Sequence, residues 1–158
     1  MEIAFRANEP WDALFVFHFF SSSTHQVLEE KLQRLVSREY RVGLSFDAPI
    51  AAGKKGSDTQ ILGRFLERKQ CANLLSRWNE PEGEIDWMCY SPNHGIATVN
   101  DGQLDWWALI CFQCANAGVG GPHALQESAV PNRTLPEGPA FQNLLLDLLP
   151  ERDFPIRS

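Results

Sequence analysis

Three segments of the chain place their apolar residues at the spacing of an amphipathic helix: 21–40, 57–78 and 139–150. The first two each begin with a serine followed three residues later by a glutamine, which is the pattern of a capping box. The third begins at Pro139 and stops at Pro150. We therefore expect three helices. The predicted caps are Ser23 with Gln26 and Ser57 with Gln60, and the predicted buried faces are Leu28, Leu32, Leu35 and Val36, then Ile61, Leu62, Phe65, Leu66, Leu74 and Trp78.

Shorter apolar or alternating runs fill the rest of the chain and are typical of strands. These runs are 2–6, 13–20, 40–46, 84–90, 95–99 and 103–112. Asn100-Asp101-Gly102 predicts a tight hairpin between the last two. Together the last three runs predict an antiparallel meander near 84–112, and 116–138 is expected to be a long loop. The pattern predicts one α+β domain over 1–158, with an antiparallel sheet packed against about three helices.

The run 103–115 can be interpreted in two ways. As a strand, it would place Leu104, Trp106, Ala108, Ile110 and Phe112 on one face. As a helix, it could be capped by Asp101 and would end at Gly118. The hydrophobic period alone does not decide whether a short apolar run forms a strand or a helix. The clean apolar stripe favours the strand, and the helix stays open.

Four potential metal ligands fall within 26 residues: Cys89, His94, Cys111 and Cys114. In a strand, residues i and i+3 point to opposite faces, so Cys111 and Cys114 would not share a metal ion. A second C-x-x-C pair or a pair of histidines, which zinc sites of this kind usually have, is also missing. We expect these cysteines to be core residues and expect no metal or other cofactor. The alternative is a small cytoplasmic enzyme, or a metal or thiol protein, that uses these four residues.

Charge is divided unevenly along the chain, whose net charge is −6. Residues 1–78 carry 11 basic and 9 acidic side chains, whereas 79–158 carry 3 basic and 11 acidic ones. The stretch 80–105 contains no Lys or Arg at all. Such a stretch repels nucleic acid and attracts a basic partner. The plainer alternative is a solvated acidic face that keeps the protein soluble.

No run of apolar residues is long enough to predict a membrane span. The first residues lack the basic start and the small-residue cleavage site of a secretory signal. We therefore expect a cytoplasmic protein that does not bind membranes, and in that compartment its four cysteines should stay reduced.

Catalytic patterns are weak throughout the chain. Lys54-Lys55-Gly56-Ser57 precedes a predicted helix without forming a phosphate-binding loop, and no G-x-S-x-G or H-E-x-x-H occurs. Glu84 and Asp86 would form a carboxylate pair on one strand face, which is common on exposed strands. His18, inside an apolar run, is most simply a core histidine. We expect no catalytic residues and no enzymatic activity.

Several large aromatic residues lie in or beside the stretch that lacks Lys and Arg: Trp78, Trp87, Tyr90, Trp106 and Trp107. Trp and Tyr side chains such as these could anchor a protein interface. A small, acidic, Trp-containing domain without catalytic motifs resembles the bacterial immunity proteins that neutralise toxic enzymes. This resemblance is one of general type. It implies an inhibitor that places acidic groups in the basic cleft of a cognate toxin and blocks its active site. The predicted partner-binding residues are Glu82, Glu84, Asp86, Trp87, Asp101, Asp105 and Trp107.

Overall fold

One antiparallel sheet organises the part of the chain that the computed structural model describes, which is 13–22, 24–46, 48–54, 57–80, 89–121 and 129–150. Its strand order is β2-β3-β1-β4-β5-β6-β7. The strands are β1 (Ala13–Ser21), β2 (Ile50–Ala52), β3 (Thr59–Leu66), β4 (His94–Asn100), β5 (Gln103–Cys111), β6 (Asn116–Gly120) and β7 (Arg133–Thr134). The helices are α1 (His25–Val42), α2 (Arg68–Trp78) and α3 (Ala140–Leu148). The predicted α+β class, with an antiparallel sheet packed against three helices, is confirmed. The predicted strand 2–6 lies outside the described residues.

The sheet is covered on both faces, which explains the nearly continuous apolar run of β1. Leu14 and Val16 pack towards α2 and α3, and we call this side the α2–α3 face. Phe15 and Phe17 pack against α1, and this side is the α1 face. Because alternating residues of β1 enter two different cores, its first five residues, 13–17, are all apolar and all buried.

Helix α1 begins and ends at different residues from those predicted. Its N-cap is Thr24, whose hydroxyl accepts a hydrogen bond from the Val27 N–H at 3.4 Å, and Ser23 is outside the described residues. The four apolar residues predicted to be its buried face are buried. The strand predicted at 40–46 is wrong, because the helix continues through Val42 and stops where Gly43 adopts φ 98°. The edge strand next to β3 is instead β2.

The predicted helix 57–78 is wrong in its first half, where the chain forms β3 before α2 begins. Apolar residues in adjacent pairs fit a helix face and a doubly buried strand equally well, and here the strand forms. Gly63 pairs with Phe17 in the register of β1, and a side chain at Gly63 would collide with Val16 and Phe15. The capping box is at Glu67, whose backbone N–H donates to Gln70 Oε1 at 3.1 Å.

The β4–β5 hairpin forms as predicted. Asp101 and Gly102 adopt φ 53° and 77°, the left-handed pair that a tight two-residue hairpin requires. The strand interpretation of 103–112 is therefore confirmed for β5. The predicted strand 84–90 falls mainly on residues outside the described ranges, and its last two residues, Cys89 and Tyr90, are not in a strand.

The meander is completed by β6, inside the range predicted as a long loop. The loop prediction is wrong for β6 and β7, whereas 122–128 lie outside the described residues. The sequence of β6 is NAGVG, with small side chains at most positions. Such a sequence has little intrinsic preference for a strand, so β6 forms because it pairs with β5.

A bulge in β5 breaks the predicted apolar stripe. Thr98 pairs with Trp106 but Val99 pairs with Leu104, so Asp105 is the extra residue. As a result, Leu104 lies in the α1-face core, whereas Trp106 packs against the opposite core with Ala108 and Ile110.

Candidate functional site

The predicted partner-binding residues fall into two groups. Glu82, Glu84, Asp86 and Trp87 lie outside the described residues. Asp101, Asp105 and Trp107 are all on the β4–β5 hairpin, where Asp101 is exposed at the turn and the other two are half-buried. The structure therefore brings three of the seven onto one element.

Trp107 lies on the α1 face and packs against the edge of that core. Its neighbours on the adjacent strands are Ala97 on β4 and Gly120 on β6. Because both neighbours are small, they leave room for the large indole side chain beside them. Asp105, two residues earlier, occupies the bulge. A carboxylate and a partly exposed indole are therefore close together in sequence at an irregular point of the sheet.

Asp101 also borders a basic groove that we did not predict. This open groove of about 950 Å³ lies between α1, the β2 end and the hairpin turn. Its charged lining residues other than Asp101 are all basic: Lys31, Arg34, Arg38, Arg41 and Lys54. Four of them recur every three or four residues on α1, the spacing of one helix face. That spacing was visible in the sequence, but the overall charge of the first half concealed it.

The prediction that Cys111 and Cys114 point to opposite faces and so cannot share a metal ion is wrong. Strand β5 ends at Cys111, and a turn over 112–115, with Ala115 at φ 54°, reverses the chain into β6. Cys114 is in this turn, so strand alternation does not apply to it. The sulfur atoms of Cys89, Cys111 and Cys114 all lie within 4.8 Å of one another.

Cys89 and Cys114 form a disulfide, so the expectation that all four cysteines stay reduced is also wrong for this structure. Cys111 keeps a free, buried thiol beside it. The Cys111 sulfur accepts hydrogen bonds from the backbone N–H groups of Ser91 and Cys114, each at 3.4 Å. Asn116, fully buried, donates from Nδ2 to the Cys89 carbonyl at 2.7 Å and so holds that residue next to β6.

His94, the fourth predicted ligand, lies elsewhere. It pairs with Ile110, whose side chain enters the α2–α3 face, while the next residue, Cys111, points the opposite way. The His94 ring contacts His18 and Phe112, with ring centroids 5.1 and 4.9 Å away. The predicted four-residue group is therefore a three-cysteine group.

Two further titratable residues, His18 and Cys71, lie in the core. His18 is a core histidine, as predicted: it is buried, and its Nε2–H donates to the Pro150 carbonyl at 3.0 Å. Cys71 is likewise a core residue on α2, and burial raises the pKa of its thiol to about 11, which makes it a poor nucleophile. Burial also raises the pKa of the Tyr90 hydroxyl, which donates to the Leu109 carbonyl at 3.3 Å.

No helix in the described ranges is long and apolar enough to cross a membrane. Comparison with protein-family models, curated proteins and solved structures finds no match to this chain. Its function must therefore be inferred from the residues themselves.

Proposed function

We propose that this protein is a cytoplasmic binding protein of the immunity type, which inhibits a toxic enzyme by occupying its basic cleft. The observation that carries the proposal is the half-buried Trp107 beside the bulged Asp105 on β5. Trp side chains contribute much of the binding energy at protein interfaces, and carboxylates steer association with a basic partner. The stretch 80–105, which lacks Lys and Arg, ends at Asp105, two residues before Trp107.

The partner can be identified by affinity purification from the native organism followed by mass spectrometry. We expect a basic enzyme that forms a 1:1 complex with this protein and loses its activity in that complex. Capture alone does not support the proposal, because inhibition of the captured enzyme is the functional prediction.

The Trp107→Ala variant tests where the partner binds. Removing the indole takes away packed area at the interface, so we expect dissociation to be at least about 30-fold faster, the equivalent of a hot-spot loss near 2 kcal/mol. Surface plasmon resonance with the captured enzyme measures this rate. Phe20→Ala is the matched control, because Phe20 is an exposed aromatic residue on β1, two strands away from β5 in the sheet. Equal effects of the two variants would contradict an interface at β5.

A further inference from the structure

We propose that Cys89, Cys111 and Cys114, when reduced, form a three-thiolate site for a thiophilic metal ion, with Zn²⁺ as the ion available in a cytosol. The disulfide between Cys89 and Cys114 is then the oxidised, metal-free state of the same site. This inference is independent of partner binding at β5.

The positions of the sulfur atoms support the site. Three thiolates around one zinc ion at Zn–S distances of about 2.3 Å have sulfurs about 3.8 Å apart. The three sulfurs already lie within 4.8 Å of one another. Breaking the disulfide and moving side chains by small amounts is therefore sufficient, and the backbone can keep its path.

Burial and hydrogen bonds hold the three cysteines in place. Cys111 and Cys114 are buried, and Cys89 is half-buried. The tight turn between β5 and β6 holds Cys111 and Cys114 together, and two backbone N–H groups already donate to the Cys111 sulfur. These two donors hold the Cys111 sulfur in position beside the other two sulfurs. The hydrogen bond from Asn116 fixes the backbone at Cys89, the ligand that comes from a distant part of the chain.

The donor set decides the class of ion. Thiolates select soft or borderline ions such as Zn²⁺ and Cu⁺, whereas Mg²⁺ and Ca²⁺ require oxygen ligands. Three cysteines leave the fourth position of a tetrahedral zinc ion for water or another donor.

Zinc can bind only after the disulfide has been reduced. Two small thiols of the glutathione class reduce the disulfide, giving two protein thiols and one small-molecule disulfide. Zinc then replaces the protons of three thiols, and three protons are released to solvent. In the reverse direction, the small-molecule disulfide oxidises Cys89 and Cys114 and is itself reduced to two thiols. Zn²⁺ then leaves, and three protons are taken up from solvent, two by the small thiols and one by Cys111.

Zinc titration of the full chain tests the proposal. The protein is reduced anaerobically with a phosphine, four free thiols are verified with a thiol reagent, and zinc uptake is measured against a chromophoric chelator. We expect one zinc per chain in the reduced protein and none in the oxidised protein. Replacing Zn²⁺ with Co²⁺ should produce a thiolate-to-cobalt charge-transfer band.

The Cys111→Ser variant is decisive because its sulfur is not part of the disulfide. It should weaken zinc binding by more than about 100-fold, exceeding the loss that follows removal of an outer-shell partner. Cys71→Ser is the matched control, since Cys71 is a buried free thiol on α2, and it should leave zinc binding unchanged. The proposal fails if reduced, folded protein takes up no zinc, if Cys111→Ser binds it as tightly as wild type, or if oxidised protein binds it equally. It also fails if the disulfide resists reduction, or if reduction abolishes the folded circular dichroism spectrum and zinc does not restore it.

Discussion

Arg133 shows how one buried charged residue fastens the edge of this sheet to a helix. It lies on β7, and its Nη2 donates to the carbonyl of Trp78, the last residue of α2. Its guanidinium also lies over the Trp78 ring, 4.1 Å from the centroid. A cation at a helix C-terminus is favoured by the helix dipole, and its attraction to an indole is stronger where water is excluded.

Replacing Arg133 with Met should therefore destabilise the fold by about 2–4 kcal/mol, because a charged hydrogen bond and a cation–π contact are lost together. Urea denaturation measures the change. The matched control is Arg77→Met on α2, since the ion pair of Arg77 with Glu80 is exposed and should contribute less than about 1 kcal/mol. Similar losses in both variants would show that the contact of Arg133 with Trp78 does not stabilise the fold.

At the scale of elements, the β4–β5 turn requires glycine at position 102 for two reasons, its backbone conformation and its close contact with α1. Gly102 has φ 77°, and a side chain there would lie 2.9 Å from the Tyr40 ring of α1. Gly138 has a comparable φ of 85° with nothing within 4 Å. The two positions share the backbone strain that an added side chain would cause, but only one also has a steric conflict.

We expect Gly138→Ala to cost about 1–2 kcal/mol, the penalty for a left-handed residue with a side chain, and Gly102→Ala to cost more. Thermal unfolding of the two variants measures both. The additional destabilisation of Gly102→Ala over Gly138→Ala measures the steric conflict between the hairpin and α1. This difference should shrink when Tyr40 is changed to Ala in the same chain. An excess that persists in the double variant would place its cause elsewhere.

The elements also show which features can be predicted from sequence. Hydrophobic period and turn chemistry predicted β1, the β4–β5 hairpin and α3, because each depends on local pattern. The predicted start of the second helix was wrong because the apolar residues at 61, 62, 65 and 66 fit both a helix face and a strand buried on both sides. Only pairing with β1 selects the strand. Strand β6 was missed because its small residues carry no local signal.

Long-range chain reversal explains what was missed at the candidate sites. Of the four potential ligands named from the sequence, Cys89, Cys111 and Cys114 lie together and His94 does not. The prediction that Cys111 and Cys114 point apart assumed that the strand continued past Cys111. The turn over 112–115 brought them together with Cys89, which is 25 residues from Cys114. The three hairpin residues proposed for the interface were chosen from charge and aromatic content, whereas the position of Asp101 beside the basic groove depends on the packing of α1.

At the scale of the whole molecule, the fold places a basic groove along α1 and an acidic residue, Asp105, at the bulge of β5. A partner with a basic cleft should be attracted to Asp105 and repelled by the basic groove. The two regions therefore predict opposite changes in association rate when their charges are reversed.

The Asp105→Lys variant should slow association with the captured enzyme by up to about tenfold at low salt and flatten its dependence on ionic strength, because it removes long-range attraction. Reversing Arg34 and Arg41 to Glu in the groove should leave association equally fast or faster, since the protein becomes more acidic. Reversal of Glu29 and Glu30 to Lys on α1 is the control for net charge alone. Stopped-flow measurements over a range of salt concentrations separate these effects from the dissociation rate. If the groove variant loses binding while Asp105→Lys retains it, the partner is acidic, α1 is the interface, and the proposed inhibition of a basic cleft is wrong.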